Sequence, residues 1–426
     1  MGMGRFTGLL GIVLILGIAF LMSNNRKKIN YRVVLSGLGI QLLLALFILK
    51  LPLGKELFGW LGAKVTTLLG MADAGAAFVF GPLVNSPLLS HVFGTANNLI
   101  FFFKIIPTII FVAVLVSIAY HLGIMQRVVK FFAVIMYRLM GVSGSEALSN
   151  VSSAFVGQVE AQILIKPYLK GMTMSELLAS MTGSMACIAG GVMAVYISLG
   201  VPAEYLIAAS IMAAPGALVI SKIVWPETEE SETKGKVTLE VKKSTYNLLD
   251  AISHGASDGL RVGLNVTAML IGFIALIAMV DWMLGGLGHM LAGWGLSLAF
   301  LGIDLNHLDL NQILGSLFSV FARAMGVPGP ETHAAGALMG TKMVVNEFVA
   351  YMDLSKIRAS LDPRTMVIVS FALCGFANFS SIAIQVGGIG QLEPSRRTDL
   401  AKLGFKALIC GTLASYLSAT IAGLLL

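Results

Sequence analysis

Apolar residues in this chain gather into long unbroken runs, the clearest at 8–22, 32–50, 98–120, 203–223, 262–285 and 403–425. A helix of about 20 apolar residues crosses the roughly 30 Å hydrocarbon layer of a bilayer. Inside lipid every backbone N–H and C=O must be satisfied within the structure, which restricts spanning segments to helices and closed barrels. Barrel strands alternate apolar and polar positions, whereas these runs are continuous, so they predict helices.

Composition agrees. The chain is 57% apolar and only 12% charged, with a mean hydropathy of +0.86, against roughly 25% charged residues in a soluble domain. An all-α polytopic membrane protein is expected. A secretory signal carries its positive charge ahead of its apolar part, but Arg26, Lys27, Lys28 and Arg32 follow the first run. That run is expected to remain as a span with its C-terminal end in the cytoplasm and the N-terminus outside. Cys187, Cys374 and Cys410 stand singly in apolar stretches, with no metal or redox spacing. The net charge of +7 is scattered over loops, which suits anionic lipid head groups and forms no nucleic-acid patch.

The chain repeats itself. RLMGVSGSE at 138–146 and RAMGVPGPE at 323–331 agree at six of nine positions, 185 residues apart. After the second span, 53–97 is rich in small residues with helical periodicity at 55–71, and is read as an amphipathic segment on the membrane. The third span returns to the cytoplasm, where Arg127, Lys130 and Arg138 follow, so the first copy starts inside. Residues 144–175 hold Glu146, Gly157, Glu160, Lys166 and Pro167, too many interruptions for a crossing. They predict a re-entrant hairpin with its turn near 153–158. Three crossings follow, at about 177–199, 203–223 and 248–285, and three is odd. The second copy therefore begins outside, with inverted topology. Its own hairpin is expected to turn near 344–346, and Arg396, Arg397 and Lys402 place the loop between the last two spans, 365–390 and 403–425, inside. The charged run at 225–243 reads as a solvated linker. About eight spans plus two re-entrant hairpins result, divided as 1–120 (first spans and interfacial helix), 121–225 (first repeat), 226–300 (loop and long helix) and 301–426 (second repeat).

Inverted repeats built from hairpins and broken helices are a common way for secondary transporters to place a site at the bilayer midplane. Each hairpin here precedes a span with breakers or polar residues at mid-depth, GSMACIAGGVMAVY at 183–196 and CGFANFSSIAIQVGG at 374–388. Ionisable residues at that depth are costly and mark function by default. Glu160 and Glu347 each lie just past a hairpin turn, 14 and 16 residues beyond Glu146 and Glu331. A competing reading has them cap the second arm of each hairpin. Gln158, Asn378, Ser380 and Ser381 supply uncharged donors and acceptors, unless they serve as glue between helices. Phe376 stands in the same break. HGASDG at 254–259 has the GxSxG form of a hydrolase elbow, but no strand precedes it. Gly255, Gly259 and Gly263 recur every four residues, which points to close helix packing. An enzyme is not expected.

GQVEAQILIKPYL at 157–169, CIAGGVMAVY at 187–196, VVNEFVAY at 344–351 and GFANFSSIAI at 375–384 resemble the signature segments of the concentrative nucleoside transporters. That resemblance implies a homotrimer in the bacterial inner membrane, importing nucleosides such as uridine or adenosine by an elevator movement of a transport part against a scaffold. It implies that Gln158, Val159 and Glu160, with Val192 beside them, meet the base. Glu347, Asn378 and Ser381 then hold the sugar hydroxyls, and Phe376 lines the site. No cofactor is implied beyond a coupling ion, sodium, with protons as the alternative. Its site would draw on Ser153, Val156, Cys187 and Ile188. Sodium-coupled members typically have Asn and Ser where this chain has Ser153 and Cys187, and a hard cation prefers oxygen. A carrier for another small polar solute is the remaining alternative.

Overall fold

The computed structural model describes residues 3–94, 100–234, 245–299 and 302–426. Residues 98 and 99 of the third apolar run and 235–243 of the charged run lie outside the described residues. Among those described, the chain is helical and carries no strand.

The first helices are α1 (Met3–Leu21), α2 (Tyr31–Leu49), α3 (Pro52–Gly70), α4 (Ala72–Phe80), α5 (Ser86–Phe93) and α6 (Phe101–His121). Asn30 starts α2 by accepting from the Arg32 amide, which satisfies one of the donors that a helix start leaves free. The stretch from α3 to α5 is apolar and mostly exposed, and by length and composition it could also cross a membrane.

The first repeat comprises α7 (Ile124–Met140), α8 (Gly144–Ser153), α9 (Glu160–Ile163), α10 (Met174–Ala186), α11 (Gly190–Ser198) and α12 (Ala203–Val224). A long connecting helix, α13 (Leu248–Gly293), separates it from the second, which comprises α14 (Leu310–Ala324), α15 (Thr332–Val344), α16 (Glu347–Ile357), α17 (Pro363–Leu373), α18 (Phe379–Leu392) and α19 (Arg397–Leu425). In both copies an amphipathic helix leads into a hairpin, a broken span and a whole span. Among the described residues, α1, α2, α6, the broken α10/α11, α12, α13, the broken α17/α18 and α19 supply the helices for eight crossings, and of these α2, α6, α10/α11, α12, α13 and α19 are each long and apolar enough on their own.

The repeated motif has a backbone cause. Gly141 and Gly326, at matching places after α7 and α14, have φ of 72° and 93°, a left-handed conformation in which a Cβ is strained. Each lets the chain leave an amphipathic helix and turn into a hairpin. The shared glutamates then secure the next element. Glu146 forms a capping box with Ser143 at the start of α8, and Glu331 accepts from the Asp362 amide at 2.9 Å, tying the second hairpin to the start of α17.

The core lies where α10, α12 and α19 pack, the most deeply buried apolar helices. Helix α13 packs instead on α6, and the glycine row accounts for the close approach. A Cβ at Gly255 or Gly259 would collide with Val114 or Ile110, one at Gly263 would press tightly on Ile106, and the Ser117 hydroxyl donates to the Ala251 carbonyl at 2.7 Å. The helix runs to Gly293, past the expected end near 285, because Gly288 lets it press on the Leu305 carbonyl of the following turn. The second arm of the first hairpin is short. It holds the four-residue α9 and a 3-10 turn at Lys166–Tyr168, since Pro167 removes a donor from any continuing helix.

The charged run is only partly solvated in its described part, where 228–230, 232 and 234 are exposed and the rest is seated on the fold. Lys222 on α12 pairs with Glu146, and with Glu227 at 3.3 Å. The Thr173 hydroxyl donates to Glu227 at 2.8 Å, Ser231 bonds Glu176, and Thr233 donates to the Ser145 hydroxyl at 2.9 Å. Both α8 and α10 begin with capping boxes at this end. Their paired glutamates and hydroxyls offer the loop a polar seat that spacing along the chain does not reveal.

Candidate functional site

The two breaks meet in the core. Gly375, with φ of 117°, brings the α17/α18 break so close to α10 that a Cβ there would collide with the Ala186 carbonyl. Around this crossing stand the two hairpin turns and the starts of α11, α16 and α18.

Glu347 opens α16 and is 5% exposed. It does not cap that helix. Asn346 does, accepting from the Val349 amide at 2.9 Å, which leaves the Glu347 carboxylate free for other partners. Its Oε2 accepts from Asn378 Nδ2 at 3.0 Å and its Oε1 from the Tyr196 hydroxyl at 3.0 Å. Asn378 in turn caps α18, its Oδ1 accepting from the Ser381 amide at 2.9 Å and the Ser380 hydroxyl at 2.7 Å. Tyr196 lies on α11 one turn beyond Val192, on the same face, and stacks on Tyr351 with ring centroids 4.2 Å apart. The structure thus brings Glu347, Asn378 and Ser381 together, as expected. It adds Tyr196, which escaped notice as one aromatic at the end of an apolar run.

The first hairpin turn carries Gln158, Val159 and Glu160. Gln158 is half-buried, and its side-chain oxygen is a buried acceptor with no partner among the described residues. Such an orphan in a polar cleft awaits a donor. Val159 packs on Gly388 of α18, joining this turn to the broken span of the other repeat. Val192 and Phe376 are half-buried, the first on α11 and the second in the α17/α18 break. Glu160 differs from Glu347. It is exposed and its carboxylate lies over Gly157 at the turn.

Ser153, Val156, Cys187 and Ile188 are all buried beside this turn. The carbonyls of Val156 and Ile188 accept no hydrogen bond among the described residues, and the Ser153 hydroxyl lies 3.1 Å from that of Ser184. One hydroxyl and two free carbonyls fit a hard cation, which takes oxygen ligands. The Cys187 thiol turns away and donates to the Ser210 carbonyl at 3.8 Å. Beneath lies a hydroxyl ladder missed in the sequence. Ser145, Ser149 and Ser153 of α8 face Glu176, Ser180 and Ser184 of α10 at 3.3, 2.6 and 3.1 Å. Gln162 of α9 crosses it, donating to Ser184 at 2.7 Å and accepting from Ser180 at 2.6 Å. The spacing of four on both helices was its signal.

The arrangement has no nucleophile and base in contact of the kind hydrolysis needs. It offers instead a carboxylate, amides and hydroxyls converging from two hairpins and two broken helices in the core. That suits an uncharged solute with hydroxyls and a ring edge.

Comparison with known proteins agrees. A family described as Na+ dependent nucleoside transporter C-terminus matches residues 205–423, its N-terminus counterpart matches 10–83, and a nucleoside recognition family named Gate matches 102–203. An uncharacterized transporter of Haemophilus influenzae is 43% identical over 99% of this chain and 98% of its own. The nucleoside permease NupC of Helicobacter pylori is 37% identical over 97% and 96%. Among solved structures, CNTnw in an inward-facing substrate-bound state superimposes with a TM-score of 0.92 at 39% identity, over 99% of this chain and 98% of that one. A doubly substituted CNTnw in an outward-facing state gives 0.93 at 39% identity, over 100% and 99%. The chain belongs to the family of Na+-dependent nucleoside transporters.

Proposed function

We propose that this chain imports nucleosides such as uridine and adenosine with sodium, and that Glu347 is the group on which the sugar is read. The observation that carries this is the clamp on Glu347, a buried carboxylate fixed from both sides by Asn378 and Tyr196. A carboxylate so held accepts from hydroxyls without reorganising, and an analogue lacking those hydroxyls leaves it unmatched. Asn378 and Ser381 complete the sugar side. Gln158, Val159 and Val192 take the base, with the orphaned Gln158 oxygen as acceptor for a base N–H, while Phe376 lines the cleft between them. Glu160, at the rim, meets the solute as it enters.

Sodium binds between Ser153, Val156 and Ile188, at the turn that also carries Gln158. Because one turn would serve both, the ion orders the base side and each ligand raises the affinity for the other. Relatives solved facing inward and outward support alternating access. We assign the movement to both hairpins, both broken spans, α12 and α19, sliding as an elevator against α6 and α13. An apolar cleft of about 220 Å³, lined by Leu69 and Val112 on one side and Met193 and Ala194 on the other, supports a boundary there. In this reading three copies assemble through the exposed faces of α13 and its neighbours in a bacterial inner membrane, with both termini outside.

Titration calorimetry of the purified protein with uridine, adenosine and 2′,3′-dideoxyuridine, with sodium or with choline, tests the assignment. Uridine and adenosine should bind in sodium, more weakly in choline, and the dideoxy analogue should bind at least tenfold more weakly than uridine, the loss of about 1.5–3 kcal/mol in a hydrogen bond to a charged acceptor. Equal binding of uridine and its dideoxy analogue would remove Glu347 from the sugar site.

A further inference from the structure

We propose that the Lys342 ammonium is a tethered cation standing, in the second repeat, where the first repeat takes its sodium ion. The inference rests on the sodium reading above and adds that the second repeat has no exchangeable ion of its own.

The register of the two halves carries the argument. Cys187 and Cys374, which open the two breaks, are 187 residues apart, and so are Glu160 and Glu347, which open the second arms of the two hairpins. In that register Ser153, Val156 and Ile188 match Gly340, Met343 and Gly375, so Lys342 falls between the first two, and its acceptors Ala372 and Cys374 fall just before the third. The first repeat leaves oxygen atoms at the end of its hairpin arm and in its break, the Ser153 hydroxyl and the Val156 and Ile188 carbonyls. In the second repeat, Lys342 lies near the end of the equivalent arm, α15, and is 0% exposed. Its Nζ donates to the Ala372 carbonyl at 2.9 Å and the Cys374 carbonyl at 3.3 Å, spanning from arm to break. The Cys374 carbonyl also accepts from the Ser415 hydroxyl at 2.7 Å.

A buried charge is expensive unless it is paired. Here the last carbonyls of α17 present the negative end of a helix dipole, where a cation is favoured, and Glu347 opens the next helix five residues after Lys342. A lysine ammonium has three donors and no acceptor, so it satisfies carbonyls as a small cation does. The positive charge that a sodium ion brings to the base side is thus built into the chain on the sugar side. One site of the pair exchanges its cation with solvent, and the other is permanently loaded.

Two measurements test this. Wild-type uridine uptake should rise with sodium with a Hill coefficient of about one, and the charge moved per uridine should equal one, since only one ion site turns over. Two sodium ions per uridine would overturn the proposal while leaving sodium-coupled nucleoside import intact. Absence of any sodium-stimulated uptake would instead sink the functional reading on which it rests. In Lys342→Ala, uridine affinity should fall about tenfold or more, the order of a lost charged hydrogen bond, and n-propylammonium, the missing part of the side chain, should restore it. The neutral n-propanol should not. Lys342→Met, which fills the space without a charge, should be weak and unresponsive to the amine. If the folded Ala variant binds uridine like the wild type, or if propanol rescues it as well as the amine, Lys342 is packing and not a cation.

Discussion

Asn378 Nδ2 donates to Glu347 Oε2 at 3.0 Å, joining the start of α18 to the start of α16. Two helix starts thus share one carboxylate, and in the proposed reading the sugar side of the site depends on that junction. Changing Glu347 to Ala should lower uridine affinity more than tenfold, from the roughly 1.5–3 kcal/mol of a hydrogen bond to a charged group. Calorimetry on the purified variant, with its melting temperature as the folding check, decides it. Unchanged affinity in a folded variant would contradict the assignment.

Tyr196→Phe removes the second clamp on Glu347 but keeps the ring that stacks on Tyr351 at 4.2 Å. About 1 kcal/mol is at stake, so uridine affinity should fall roughly fivefold with little change in stability. A drop as large as that of Glu347→Ala would mean that Tyr196 touches the solute itself.

Lys222→Met should destabilise the protein by about 3–5 kcal/mol, because it strands the buried Glu146 carboxylate. Pairing it with Glu146→Gln should recover much of the loss, since no fully buried charge is then left alone and Glu227 is partly exposed. Thermal unfolding in detergent distinguishes the outcomes. A double variant no better than the single one would show that the pair does not act as a unit.

Gly259→Leu should separate α13 from α6, because the new side chain meets Ile110 and Ala113. Overpacking of this kind costs about 1–3 kcal/mol. The expected result is a lower melting temperature with unaltered uridine affinity, since neither Ile110 nor Ala113 is among the residues assigned to the solute. Lost affinity at full stability would tie this helix pair to binding.

What the sequence made legible follows from the kind of signal each feature leaves. Continuous apolar runs reveal spans, because lipid punishes every polar interruption. The hairpins and broken helices show through those same interruptions, so the turns at 154–159 and at 345–346 fall where Gly157, Glu160, Asn346 and Glu347 predict them. Glu347 and Asn378 could be named because a carboxylate and an amide at mid-depth are costly. Lys342 bore the same mark and was passed over. Tyr196 left no mark, since an aromatic beside apolar residues reads as packing until its hydroxyl is seen on Glu347. The seating of 225–234 was illegible for another reason. A run of glutamates and hydroxyls suits solvent equally well, and only the folded capping boxes of α8 and α10 supply its partners. Glu160 and Glu347 share a place in the repeat and a role in the family resemblance, yet Glu160 is exposed over Gly157 whereas Glu347 is buried and held by Asn378 and Tyr196.

The departure from the usual sodium site can be tested by reversing it. Ser153→Asn with Cys187→Ser adds an amide oxygen and exchanges a thiol for a hydroxyl where hard ligands are expected. Sodium should then be bound more tightly, and uridine bound at sub-saturating sodium should increase through reciprocal coupling. Sodium titration of uridine binding at fixed pH measures it. Unchanged sodium dependence in the folded double variant would place the ion elsewhere.

The central claim, import of nucleoside driven by a sodium ion held at the first hairpin turn, is tested most directly by uptake of labelled uridine into proteoliposomes at fixed pH. With an inward sodium gradient, uridine should accumulate above its external concentration and collapse to equilibrium when sodium is equalised. Ser153→Ala should weaken that dependence by removing the one side-chain oxygen found at the site. Equal accumulation in sodium-free buffer under an inward proton gradient would contradict sodium coupling, and no accumulation of uridine or adenosine under either gradient would contradict nucleoside import.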